Sequence, residues 1–507
     1  VIPALRTVTR LVVVLWVVAR HDLLGFLDFP GAALASRLAA RRSSDRSGQR
    51  LAAALVALGP TFIKLGQALS TRADLVGEQT AADLSGLQDR LAPFPGERAV
   101  EIVERELGQT LSLIFQSFEL IPVAAASIAQ VHFAVTADGK DVAVKILRPN
   151  IEKAFHRDLE MLSRLARWAD RLVPSLRRLR LIEVVETLAQ SVELEMDLRF
   201  EAAAAAEMAE NFSGDDTFLI PAVDWTRTAR RVLTLERVAG LAVDERDEMI
   251  ALGYDVTRIL RNAAEAFFNM VFRDGFFHAD LHPGNLFVDS QGRLVAVDFG
   301  IVGRVDLETR HFLAAMLIGF LNGDYRKVAE VHFQAGYVPA HKSVDAFSQA
   351  IRSVAQPILG KPIFEISVAR LLGQLFEVTE TFAMETQPQL LLLQKSMLVA
   401  EGIGRQLDPS VNMWELARPM IERWMRQNLG VKARVTSTVI DVAHTLERLP
   451  RLLDNAERVL SEVQRGGIKL HPDAVRGALG GQRSGPSLWL WLSWAVSAAL
   501  AATLMMG

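Results

Sequence analysis

Between Phe118 and Leu147 the chain reads "FELIPVAAASIAQVHFAVTADGKDVAVKIL", and there its apolar residues change period. From Leu51 to Leu113 they recur at helical spacing, and they do so again over 150–212. The stretch between is an alternating, β-branched run with an Asp-Gly turn in "ADGK", so it predicts strand, loop, strand, hairpin and strand. Two further strands are expected in "FLIPAVDW" and "RRVLTLERV", and a strand pair in "LFVDSQGRLVAVDFG", before the pattern stays mostly helical to about Leu460. A small β-rich lobe with an inserted helix, followed by a helical lobe, is neither an alternating β/α chain nor a bundle. With 507 residues the chain can build two to four domains' worth of core at roughly 150 residues each. The polar run "RRSSDRSGQR" at 41–50 reads as a loop, and Pro60 as a helix start, where a missing N–H costs nothing.

Chemistry concentrates in two short stretches of the second half. "HADLHPGN", His278–Asn285, separates Asp280 from Asn285 by five positions, and "VDFG" puts Asp298 thirteen residues beyond Asn285. Upstream, "VAVK" ends an expected strand on Lys145. Each piece alone is a weak signal, but in this order they match the protein-kinase set of strand lysine, catalytic Asp-x4-Asn and metal-binding Asp. The spacing suits phosphoryl transfer, which needs charge neutralisation and positioning more than covalent chemistry. A lysine holds the α- and β-phosphates of ATP. The oxygens of Asp298 and Asn285 suit Mg²⁺, a hard cation. Asp280 can orient the attacking group or take its proton. The i,i+4 histidines His278 and His282 could hold zinc on a helix, but Pro283 and Gly284 break a helix there, and His278 falls where kinases carry a structural histidine. No role for His282 is evident.

Two kinase parts are missing. No GxGxxG lies between the first strands; Ala124, Ala125 and Ala126 stand there, followed by Ser127, and alanine lacks the conformational freedom of glycine. No "APE" follows the DFG stretch.

Over roughly residues 50–430 the chain resembles the UbiB family, also called the ABC-one or aarF-domain family, of atypical kinase-like proteins. "KLGQ" (Lys64 to Gln67) is similar to its K-x-G-Q motif, "AAAS" to its alanine-rich loop, and "EMD" (Glu195 to Asp197) to its E-x-D motif; Glu201 matches the glutamate that pairs with the strand lysine. "LLQKSMLVAEGIGRQLDP" looks like the bacterial ubiquinone-biosynthesis branch. Lys64 and Gln67 are three apart on one helix face. Glu195, Asp197 and Glu201 read as one helix, on which Glu195 and Asp197 do not share a face, and Lys64 is expected to contact one of those two carboxylates near the nucleotide cleft. The resemblance implies a two-lobed, protein-kinase-like α+β fold with this partition: a helical extension over 1–113, an N-lobe over 114–240, a C-lobe over 241–430, a helical tail and linker over 431–486, and an anchor over 487–507. It also implies that the K-x-G-Q helix folds over the active site. Lys145, Asp280, Lys64 and Gln67 would then be catalytic, Ala124–Ser127, Lys145 and Glu201 would bind nucleotide, Asn285 and Asp298 would hold Mg²⁺, and Glu195 and Asp197 would be regulatory. The implied activity is ATP hydrolysis coupled to the handling of prenylated quinone precursors in ubiquinone biosynthesis, with other biosynthetic proteins as partners. A small-molecule or lipid kinase, or a nucleotide-binding scaffold, would use the same residues.

The rest of the composition bears on location. Net charge is −3, so no pull toward nucleic acid is expected, and the absence of cysteine excludes disulfides and thiolate metal sites. Mean hydropathy is +0.20, and Leu488 to Met506 offers nineteen uncharged residues, with Trp489, Trp491 and Trp494 at its start and Arg476 and Arg483 before it. That predicts a C-terminal membrane-crossing helix with the main body on the cytoplasmic side of a bacterial inner membrane. Only nine apolar residues separate Arg10 from Arg20, too few to span, so the N-terminal stretch is expected to be an interfacial or core-packing helix rather than a removed signal peptide.

Overall fold

The computed structural model describes residues 2–23, 46–70, 76–85, 87, 91–172, 180–357, 374, 377–379, 381–384, 387–408 and 413–429. Among the described residues the N-terminal extension has helices α1 (Ile2–Arg20), α2 (Ser47–Leu58), α3 (Pro60–Ser70) and α4 (Glu78–Ser85). The polar run read as a loop therefore ends in a helix, since α2 begins at Ser47. Val17, Ala54, Leu55, Leu58, Phe62 and Leu84 close a core of their own, to which Met161 is added from α6 (Ile151–Leu172). Gly66, between Lys64 and Gln67, lets α3 come close to its neighbours; a methyl group there would run into the side chains of Leu87 and Leu55. Arg10 of α1 pairs with Asp158, 3% exposed, at 2.7 Å, so α1 packs on the body while Val12, Val13 and Trp16 stay exposed.

After α5 (Gly96–Leu107) come β1 (Phe115–Phe118), β2 (Ala124–Ala125), β3 (Ala129–Thr136) and β4 (Asp141–Leu147). With β6 (Val232–Glu236) they form one antiparallel sheet in the order β1-β3-β4-β6, and β2 pairs with β3. Residues along a strand alternate between faces. Val142, Val144 and Ile146 of β4 accordingly pack with Ala99, Ile102 and Val103 of α5. Lys145, out of phase with them, points to the other side. There Leu147 and Leu233 pack with α6, α7 (Leu181–Glu195) and α8 (Leu198–Asn211).

The stretch "FLIPAVDW" departs from expectation. Its strand β5 (Phe218–Leu219) pairs in parallel with β10 (Leu294–Ala296) of a second sheet, ordered β5-β10-β9-β7, with β9 at Leu286–Val288 and β7 at Leu241–Ala242. The longer helix α9 (Val256–Phe268) runs into a π-helical turn, Asn269–Asp274, closed by Gly275 at φ +67°. A two-stranded ladder of β8 (Phe276–His278) and β11 (Val302–Arg304) follows. These elements share the largest core with Leu393, Ile403 and Leu407 of α13 (Pro388–Leu407) and with Ile421 and Trp424. Helices α10 (Leu307–Leu321), α11 (Tyr325–Gln334) and α12 (Val344–Ala355) build a further core around Val328 and Phe347.

The expected fold class needs one correction. Among the described residues no helix is long and apolar enough to cross a membrane. Helix α1 carries Arg6, Arg10 and Arg20 in its sequence, and nine apolar residues rise only about 14 Å, half of a hydrocarbon core. The expected anchor, Leu488–Met506, lies outside the described residues. The expected membrane-crossing helix, and the inner-membrane placement that rested on it, are therefore unsupported, and what stands is the α+β arrangement itself.

Candidate active site

Strand β4, helix α8 and the turns around β8 to β10 bring the sequence-predicted residues together. Lys145, on the α8-facing side of β4, places its Nζ 2.8 Å from Glu201 Oε1 and 2.9 Å from Asp298 Oδ1. Glu201 is 7% exposed, and burial pushes its carboxyl up to about 7 against the pull of Lys145. Burial would also raise Asp298, but the adjacent ammonium prevails and holds it below the usual carboxylate range. Desolvation acts downward on Lys145 itself, and the two carboxylates outweigh it, so the lysine stays charged. Asp298 keeps 44% of its side chain open and adopts φ +61°, a left-handed conformation costing about 1–2 kcal/mol for a non-glycine residue. Its contact with Lys145 and the Gly300 N–H, 3.4 Å from Oδ1, help to offset that strain.

Asp280 is tied to the residue before Asp298 by His278, which is fully buried. The Asp280 N–H donates to His278 Nδ1 at 3.1 Å, so Nε2 carries the ring proton and donates to the Val297 carbonyl at 3.1 Å. Burial holds this imidazole below its ordinary pKa and keeps it neutral. With both ring nitrogens engaged, His278 is a brace between the Asp280 turn and the residue before Asp298, and the zinc reading fails. His282 also gains a role: it caps the short 3₁₀ turn Pro283–Asn285 by accepting the Gly284 N–H at 3.1 Å, with Nε2 3.9 Å from Asp280 Oδ2. Asn285 donates from Nδ2 to the Asp280 carbonyl at 3.1 Å, which leaves the amide oxygen for a cation.

One further group reaches Asp280 that the sequence did not single out. Lys395 of α13 places Nζ 2.9 Å from Asp280 Oδ1. It sits inside "LLQKSMLVAEGIGRQLDP", but a lysine on an amphipathic helix carries no local signal of its target; only the packing of α13 against the core reveals it.

The extension approaches the site from the other side. Lys64 of α3 and Glu195 of α7 are 2.9 Å apart, each side chain 9% exposed, and the charge of Glu195 adds to the upward pressure on Glu201. Gln67 lies one turn along, half-buried, its carbonyl accepting from Ser70 Oγ at 2.7 Å. The single helix expected through "EMD" is broken. Helix α7 ends at Glu195, and Asp197 is the N-cap of α8, accepting the Arg199 N–H at 3.1 Å and pairing with Arg199 Nη2 at 2.6 Å. The structure thus gives Glu195 to Lys64 and Asp197 to Arg199.

The alanine stretch is paired rather than open. Ala124 and Ala125 face Val131 and Gln130 across β2–β3, and the Ala126 N–H donates to the Ala129 carbonyl at 2.8 Å. Arg148 donates to the Ala126 carbonyl from Nε at 3.0 Å and from Nη2 at 2.8 Å, and also to the Ala92 carbonyl at 3.0 Å and that of Leu91 at 3.4 Å. Ser127, in the same turn, is fully buried, and its Oγ finds no protein partner. A buried hydroxyl without a partner is costly and suits a polar ligand.

These donors fit a magnesium nucleotide. Asp298 and the Asn285 amide oxygen are hard ligands, and among the described residues no group of three or more His, Asp or Glu side chains forms a metal cage. Mg²⁺ characteristically takes one or two carboxylates and completes its shell with water and phosphate oxygens.

Comparison with family models agrees with the kinase-like arrangement. The ABC1 atypical kinase-like domain matches residues 86–332, and the UbiB helical domain matches residues 351–412. Among solved structures, Rv3197 of Mycobacterium tuberculosis, determined in complex with erythromycin, is similar at 26% identity and a TM-score of 0.49, over 70% of this chain and 90% of that one.

Proposed function

Because the chain belongs to the UbiB/ABC1 family of atypical kinase-like proteins, a family generally linked to ubiquinone biosynthesis, we propose that it is a magnesium-dependent ATPase whose turnover serves the handling of prenylated quinone precursors. The observation that carries this reading is Lys145 held between Glu201 and Asp298, with the Asp280 turn braced to the residue before Asp298.

Lys145 is pre-charged and fixed at two points, ready to meet the α- and β-phosphates. Asp298 and Asn285 would hold Mg²⁺, which when bound neutralises charge on the β- and γ-phosphates. Asp280 would orient a water and accept its proton as the bond to the γ-phosphorus forms and the β–γ bridging bond breaks, releasing ADP and phosphate. Hydrolysis is preferred here over protein phosphorylation because the family resemblance implies that the K-x-G-Q helix folds over the site and blocks peptide acceptors; the buried Lys64–Glu195 pair, which fastens α3 onto α7, is compatible with that.

The test uses the purified full chain with γ-labelled ATP, magnesium and a phenolic analogue of the quinone head group. Free labelled phosphate, stimulated by the analogue, supports the reading. Label transferred to the analogue indicates a small-molecule kinase, and nucleotide binding without turnover indicates a scaffold.

A further inference from the structure

Lys395 lies outside the kinase-like domain, on α13, yet its ammonium touches the carboxylate of that domain's Asp-x4-Asn turn at 2.9 Å. Stability does not explain this placement. The two side chains are 36% and 30% exposed, and ion pairs so open to water contribute little to folding.

Its anchorage is nevertheless firm. Leu393 and Ser396, on either side, are 4% and 0% exposed, and the Ser396 hydroxyl donates to the Leu392 carbonyl at 3.0 Å. The backbone under Lys395 is therefore fixed by the largest core, while its long side chain can swing. A rigid base and a movable cation at a half-open carboxylate is the arrangement of a group that changes partner.

Charge supplies the reason for a change. Lys145 is already committed to Glu201 and Asp298, and Lys64 to Glu195. The opposite end of a nucleoside triphosphate, its γ-phosphoryl group, would face Asp280, and like charges at that distance repel unless a cation lies between them. His282, 3.9 Å from the other carboxylate oxygen, is spent on capping its own turn through Nδ1. Lys395 is the remaining cation at this carboxylate among the described ion pairs.

We propose that Lys395 binds the γ-phosphoryl group of a nucleoside triphosphate, moving from Asp280 to a position shared between carboxylate and phosphate, so that the helical segment completes the site of the kinase-like domain. The inference rests on the nucleotide-binding reading above. It makes Lys395 a sensor of the third phosphate: an adenosine diphosphate should not engage it.

The test is binding, not turnover. Magnesium complexes of a non-hydrolysable ATP analogue and of ADP are titrated into the full-length wild type, Lys395→Met and Lys395→Arg, with thermal midpoints measured to verify folding. Loss of a charge-assisted contact predicts that Lys395→Met weakens the triphosphate by about tenfold or more, leaves ADP within about twofold, and that Lys395→Arg restores most of the preference. An unchanged triphosphate-to-diphosphate ratio in a folded Lys395→Met overturns the inference alone, as does tighter triphosphate binding, which would make Lys395 a plug. Failure of the wild type to bind either nucleotide would remove the functional reading and this inference together.

Discussion

Breaking the pair between Lys64 and Glu195 should reveal how tightly the extension is fastened. Both side chains are 9% exposed and 2.9 Å apart, so removing Lys64 leaves the Glu195 carboxylate charged in a poorly hydrated place. Stranding of that kind costs about 3–5 kcal/mol; the residual exposure argues for the lower end, about 3 kcal/mol. The surroundings make the two single substitutions unequal. Lys64→Met leaves the Glu195 carboxylate near Glu201, with which it already interacts unfavourably. Glu195→Gln leaves an ammonium near that same carboxylate, which partly compensates it. Lys64→Met should therefore cost more than Glu195→Gln, by about 1 kcal/mol, in view of ordinary like-charge effects. The double variant Lys64→Met/Glu195→Gln, with no stranded charge, should recover about 2 kcal/mol of the summed loss. Urea unfolding of all four proteins, followed by far-ultraviolet circular dichroism, gives the cycle. A coupling energy near zero, or a larger loss for Glu195→Gln, would refute the claim that this pair is a buried clasp in the field of Glu201.

Three other outcomes are expected. Asp298→Asn should abolish the magnesium-dependent part of nucleotide stabilisation in a thermal-shift assay while sparing any magnesium-independent part; a full magnesium response would remove Asp298 from the ligand set. Because Glu201 is raised from 4.5 to about 7, between those pH values the folded state keeps a proton that the unfolded chain releases, so its contribution is complete below pH 4.5 and lost as pH rises through about 7. Glu201→Gln should then gain on the unliganded wild type between pH 5 and pH 8, by at most roughly 3 kcal/mol, and parallel stability curves would contradict the titration. Gly303 stands opposite Phe277 in the β8–β11 ladder, where an added methyl would meet the ring of a fully buried side chain. Gly303→Ala should cost about 1–3 kcal/mol by overpacking, measured by urea unfolding, and a neutral result would mean that the ladder shifts freely.

What the sequence revealed depended on how local each signal was. The period of two in "DVAVKIL" put Lys145 and its neighbours on opposite faces, and the order of Lys145, Asp280, Asn285 and Asp298 followed from fixed spacing around turns. The break after Glu195 was harder to see, because "ELEMDLRFEAAAA" is helix-compatible throughout; the one available sign was Asp197, a strong N-cap residue, ahead of a helical run. The partner of β5 could not be read, because two residues carry no register and parallel pairing with β10 spans about seventy-five positions. Lys395 and His282 escaped for the same reason: their roles lie in what distant or turning backbone brings to them. The apolar C-terminal stretch shows the opposite weakness. Its composition suggested a membrane crossing, and no described helix carries that suggestion further.

Arg148 has a consequence of its own. One guanidinium grips the carbonyls of Leu91 and Ala92, where the extension ends, and of Ala126 in the alanine turn. Two segments that share a single clamp cannot be displaced independently. If a ligand at the turn draws Ala126 from Arg148, it also loosens residues 91 and 92. By thermodynamic reciprocity, whatever lifts the extension must then alter the affinity for that ligand by the same factor. The extension would thus act less as a fixed cover than as one arm of a balance, whose other arm is the turn beside the proposed nucleotide site.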